Sequence, residues 1–173
     1  PDLAVTQSFD TRGMSREAVK QAERICRWLT VDEKSYKNLV RMFATPWLEP
    51  FKQLSYVLSG HGGDGKTLIM SQAVLGALGD GKVFPSLNVA QFCENGGYTL
   101  NRESMVDAMD GASFAYDDEA GEVSERMLPW LRGLSTGTPM QARVVGGRYR
   151  TVTPTATIVM LTNQGFADSS EPS

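Results

Sequence analysis

Eight consecutive residues, Gly60-His61-Gly62-Gly63-Asp64-Gly65-Lys66-Thr67, carry the pattern G-x-x-x-x-G-K-[ST]. Glycine lets successive backbone N–H groups curl around an anion, so Gly60, Gly62, Gly63, Asp64 and Gly65 read as a cradle for phosphates. Lys66 then reaches the β- and γ-phosphates, and the Thr67 hydroxyl is placed to ligate Mg²⁺. The ligand this chemistry calls for is a nucleoside triphosphate, with Mg²⁺. A Gly-rich surface turn is the bland alternative.

Such a loop needs a carboxylate at the end of another strand, to hold the cation and orient water. The run Ser113-Phe114-Ala115-Tyr116 ends in Asp117-Asp118-Glu119. One acid would act through the metal and its neighbour as general base. The register stays open between Asp117/Asp118 and Asp118/Glu119. A third polar group, Asn163, ends the apolar run Ala156–Thr162. There an amide can position water or sense a γ-phosphate, although a lone Asn is commonly a cap or turn residue.

The elements that must position these groups follow from the pattern of the chain. Leu54–Leu58 reads as a short buried strand before the loop, and Thr67–Leu75 as a helix with its positive N-terminal end toward the phosphates. Strands are expected near 54–59, 83–90, 112–117 and 156–162, and helices near 66–78, 101–109 and 122–134. Their alternation predicts an α/β fold, a parallel sheet with helices on its faces. Before it, Ser15 caps a helix to about Leu29 with Val19, Ala22, Cys26 and Leu29 on one face. Thr30-Val31-Asp32-Glu33 is a capping box for a second helix, which buries Leu39, Val40 and Phe43 and ends at Thr45–Pro50. This divides the chain into a helical lead-in, 1–48, whose first 14 residues lack periodicity, and a core, 49–173.

Gln141–Val152 breaks the alternation. Its Gly146-Gly147 centre between β-prone residues is a hairpin signal, and Arg143, Arg148, Tyr149 and Arg150 lie on it. Arginines with an aromatic ring suit a phosphate backbone and stacked bases. The alternative is an edge hairpin blunted by charge against aggregation. From Arg126 to Phe166 there are five arginines and no acid, on a chain of net charge −3. A locally basic segment on an acidic body binds a polyanion at one place.

Composition excludes other classes. With 173 residues, 41% hydrophobic and 21% charged, the chain reads as an ordinary globular protein. No apolar run reaches the ~18 residues of a membrane span, so no membrane partner is expected. Cys26 and Cys93 are too few for a disulfide framework or zinc site, which points to the cytoplasm. His61 is the sole histidine, which removes histidine-dependent triads and clusters. Pro1 in place of Met marks a fragment or processed piece.

The ordered set of phosphate loop, acidic strand end, Leu131-Arg132-Gly133-Leu134-Ser135-Thr136-Gly137, Ala142-Arg143, Pro154-Thr155-Ala156 and Thr162-Asn163 resembles the superfamily 3 helicases. The likeness is to the helicase domains of phage and plasmid primase–helicases, and it covers roughly 50–165. It implies an AAA+-like homo-hexamer that hydrolyses ATP between subunits and pulls single-stranded DNA through a channel. By the same resemblance Lys66 and Thr67 hold phosphates and Mg²⁺, and Asp117, Asp118 and Glu119 form the acidic motif. Asn163 is then the sensor, and Arg143, Arg148 and Arg150 line the channel. Arg132 and Thr138 depart from the family's usual Lys and Asp. The family's arginine finger follows the sensor, but Gln164–Ser173 has no Arg, so this piece is expected to bind ATP and hydrolyse it poorly. An ATP-regulated DNA loader or scaffold and a P-loop kinase are the competing functions.

Overall fold

The computed structural model describes residues 15–48, 54–79, 81–93, 99–121, 123–143 and 147–163. The lead-in 1–14, the hairpin tip 144–146 and the stretch 164–173 lie outside them. The chain divides into two compact units, Pro1–Val40 and Arg41–Ser173.

In the first unit, α1 spans Arg16–Trp28, and the Ser15 side chain caps it by accepting from the Ala18 N–H. The expected apolar face is not a buried one. Val19 and Ala22 are exposed, Cys26 and Leu29 are half-buried, and Trp28 is 84% exposed. The second helix, α2 (Glu33–Leu48), is capped differently from the capping-box expectation. Asp32 accepts from the Ser35 N–H at 2.6 Å, whereas the Thr30 hydroxyl turns back to the Cys26 and Arg27 carbonyls at the end of α1. Asp wins because its carboxylate is the better acceptor and carries charge toward the helix's positive end. Arg27 bonds Glu23 and Glu33 and lies 4.0 Å over the Tyr36 ring.

The end of α2 belongs to the second unit. It runs on to Leu48 with Pro46 inside it, so it ends within the expected boundary at Thr45–Pro50. Met42 and Thr45 are buried there, the Thr45 hydroxyl lies 2.6 Å from the Tyr56 hydroxyl, and Trp47 meets Phe114 edge-on at 6.1 Å. Tertiary packing of this turn thus holds Pro46 within the helix despite its missing N–H. Leu39 is buried as expected, but Val40 is 43% exposed and Phe43 half-buried.

The second unit is α/β. A four-stranded parallel sheet runs in the order β1 (Ser55–Ser59), β6 (Thr157–Thr162), β3 (Phe114–Asp117), β2 (Val83–Phe84). Every residue of β6 and β3 is buried, as parallel strands covered on both faces must be. Alternation then sorts their side chains. Ala115, Ile158 and Met160 join one core with Leu87, Phe92, Val106, Met109, Leu131 and Leu134, while Phe114 turns toward Trp47.

The first core is closed by α5 (Val89–Cys93), α6 (Thr99–Ala108) and α7 (Leu128–Ser135). Two elements here differ from their expected bounds. The strand expected at 83–90 stops at Phe84, because Pro85 offers no N–H to a ladder and Asn88 starts α5 by accepting from the Gln91 N–H at 2.8 Å. The helix expected from 122 begins at Leu128, where Pro129 fits the first turn. The hairpin signal holds as an antiparallel pair, β4 (Met140–Arg143) with β5 (Tyr149–Val152).

Cys93 sits 7% exposed in this core, and burial pushes its thiol up to about 11 against a smaller opposing pull from Arg102. At pH 8 only about one thiol in a thousand is then the reactive thiolate. Alkylation with iodoacetamide followed by mass spectrometry is expected to label half-buried Cys26 first, and Cys93 only as the core opens.

Candidate nucleotide-binding site

Two glycines of the loop between β1 and the next helix take a left-handed backbone. Gly63 and Gly65 adopt φ of +83° and +87°, values that side-chain-bearing residues resist. Gly65 precedes a helical stretch in three parts: α3 (Lys66–Leu68), a π-helical Ile69–Val74, and α4 (Leu75–Leu78), which ends at Gly79 with φ +80°. The expected helix 66–78 is therefore continuous but locally underwound, with Met70 and Val74 turned into the core.

Lys66 is the centre of the site. Its side chain is only 12% exposed. Nζ donates to both Asp64 carboxylate oxygens at 2.7 and 2.8 Å, to the His61 carbonyl at 3.2 Å and to Asn163 Oδ1 at 3.1 Å. The last contact joins residues 97 positions apart. It exists because β6 pairs directly with β1, Ser59 level with Thr162, and Gly60 N–H continues the ladder to the Thr162 carbonyl at 3.2 Å. Asn163 thus lies beside the loop lysine, at the carboxyl ends of the strands where open α/β sheets take their ligands.

The acids sit one strand further along the same edge, since β3 pairs with the other side of β6. They are not equivalent. Asp117 is 7% exposed, and its Oδ2 accepts the Val89 N–H at 2.7 Å while its Oδ1 accepts the Glu119 N–H at 3.1 Å. It caps α5 and fixes the turn that follows β3. Asp118 and Glu119 stand exposed on that turn, which the Ala120 N–H ties to the Leu161 carbonyl at 2.9 Å. The buried cap was not legible beforehand, because its partner at Val89 lay in a stretch read as strand.

Burial alone would raise the Asp64 carboxyl, but hydrogen bonds and charge from Lys66 outweigh it and hold the group below the ordinary carboxylate range. Hydroxyl and carboxylate oxygens are the donor types a hard cation takes. Thr67 is exposed on the first helical turn, and the two exposed acids offer oxygens. Among the described residues no three His, Cys, Asp or Glu side chains cluster.

The hairpin arginines have three different surroundings. Arg143 stands opposite Tyr149, its guanidinium 4.9 Å over that ring and bonded to the Tyr149 hydroxyl at 3.2 Å. Arg150 reaches away to α6, bonding Asp107 at 2.6 Å and also Asp110. Arg148 is exposed next to the tip. The acids that hold Arg150 were legible only as net negative charge, since nothing in the spacing pairs positions 43 and 40 residues apart.

Among solved structures the chain is similar to the apo form of the NrS-1 C terminal region. Two structures of its A form align at TM-score 0.58 with 12% and 9% identity, over 87% of this chain. Another apo structure aligns at TM-score 0.58 and 12% identity over 85%. The chain spans about a third of the length of each, 33%, 35% and 36%. At this identity the likeness shows the fold. No protein-family model matches the chain, and no curated protein matches it. No described helix is long and apolar enough to cross a membrane.

Proposed function

We propose that this chain is the ATP-binding core of a DNA-translocating ATPase, a helicase domain of a phage or plasmid replication protein. The observation that carries the reading is the 3.1 Å contact between Lys66 and Asn163. A glycine-rich surface turn has no reason to meet a polar strand end there, whereas a phosphate sensor must. The strand order supports it too, because β6 separates the loop strand from the acid strand and so places Asn163 between them. The likeness to the NrS-1 C terminal region supports the same fold, and the ordered motif set supports the replication setting.

In this reading Lys66 and the loop N–H groups bind the phosphates. Thr67 and Asp118 would hold a Mg²⁺ ion, which would supply neutralisation of phosphate charge. Glu119 accepts the proton of the attacking water, and Asn163 orients that water against the γ-phosphate. The exposure of Asp118 and Glu119, against the engaged oxygens of Asp117, favours that pair in these roles. Asp117 positions both by holding their turn. On the hairpin, Arg148 contacts DNA phosphate, the Arg143–Tyr149 pair offers a stacking surface, and Arg150 anchors β5 to α6.

The test is fluorescence anisotropy of labelled oligo-dT with the chain and an ATP analogue. Arg148→Ala is expected to weaken binding several-fold and reduce the salt slope by about one. Arg150→Ala should act through the hairpin's stability instead. DNA affinity and salt slope indifferent to Arg148 would remove the hairpin from the DNA path and favour an ATP-regulated scaffold.

A further inference from the structure

An ammonium group has three N–H donors. Around Lys66 they are all engaged by the protein itself, with the Asp64 carboxylate taking the shortest contacts. That carboxylate is planar, anionic and held by the lysine that the nucleotide reading assigns to the phosphates. Its position depends on a second feature of the loop. A Cβ built on Gly60 would lie 1.9 Å from Asp64 Oδ2, so the inward carboxylate exists because residue 60 has no side chain. Asp64 also folds over its own chain, with Oδ1 3.4 Å from the Lys66 N–H.

We propose that Asp64 is a built-in competitor for the phosphate seat. In the free chain it neutralises Lys66, and an incoming triphosphate must displace it. This rests on the nucleotide reading of the loop. Every ligand that needs Lys66 then binds against the energy of the Asp64 pair, and a ligand that does not need it feels no such penalty. Asp64 is thereby a residue that sets affinity for phosphate-bearing ligands without adding to it. The pair is partly solvated, Asp64 being 35% exposed, so its competition is modest and displaceable.

Calorimetric titration with ATP in Mg²⁺ tests this on the whole chain. Asp64→Asn and Asp64→Ser are each expected to tighten ATP binding roughly three- to tenfold, with adenosine unaffected. In a Lys66→Ala background the same Asp64 substitutions should change ATP affinity less than twofold, because there is no ammonium left to release. A gain that persists without Lys66 would mean direct contact with the ligand and overturn the proposal. So would ATP binding that is unchanged or weaker in both single variants while the wild type binds. If neither the wild type nor any variant binds ATP, the nucleotide reading itself falls, and this inference with it.

Discussion

Replacing Lys66 with Ala will weaken ATP binding at least about 100-fold while leaving the fold intact. The side chain is nearly enclosed, yet its partners are Asp64, a loop carbonyl and Asn163 rather than the core. A hydrogen bond from a charged donor contributes about 1.5–3 kcal/mol, and two of them directed at phosphate suffice for the loss. The thermal midpoint should move by only a degree or two, because Asp64 and Asn163 are at the surface and can be solvated by water. Lys66→Arg should recover part of the affinity, since charge is kept but the planar guanidinium does not fit a point-charge seat. Equilibrium dialysis with ATP and a melting curve on the same samples separate the two effects. Retained affinity would take Lys66 out of the site.

Asp117→Ala is expected to be the opposite case, a large loss of stability. The carboxylate is buried, and both oxygens accept backbone N–H groups. Deleting it strands the Val89 N–H in an enclosed place and releases the turn that carries Asp118 and Glu119. Losing charge-assisted bonds to buried donors costs about 2–4 kcal/mol. For a chain of this size that corresponds to roughly 5–10 °C in melting temperature. Asp118→Ala, at an exposed position, should melt within about 1 °C of the wild type. Should Asp117→Ala keep the wild-type midpoint and lose only ATP turnover, Asp117 would belong with the metal ligands, and the register would move back by one residue.

These two residues also show what the sequence could and could not reveal. The phosphate-loop pattern, the acidic strand end and the terminal Asn of β6 were all legible, because each is a local arrangement of residue types. The alternation of strands with helices pointed to the parallel sheet for the same reason. What spacing does not encode is which strand lies beside which. The order β1-β6-β3-β2 brings Asn163 to Lys66 and leaves the acids one strand away. Nor does it encode side-chain partners that form only after packing, such as Asp117 with Val89, Arg150 with Asp107 and Asp110, or Asp64 with Lys66. Pro46 sits inside the last turn for a related reason: its cost to an isolated helix is real, but Thr45 and Trp47 tie that turn to Tyr56 and Phe114, and the helix ends at Leu48. The same gap covers Asp117, whose hydrogen bonds to the Val89 and Glu119 N–H groups no motif announces.

The central claim is that the loop and Asn163 together form a seat for a nucleoside triphosphate. A calorimetric titration of the wild-type chain with ATP, and then with AMP, tests it most directly, both in Mg²⁺. The account predicts saturable one-to-one ATP binding below about 1 mM, at least tenfold weaker binding of AMP, and a fall in ATP affinity in Asn163→Ala. ATP that fails to saturate at that concentration, or AMP that binds as well as ATP, would contradict it.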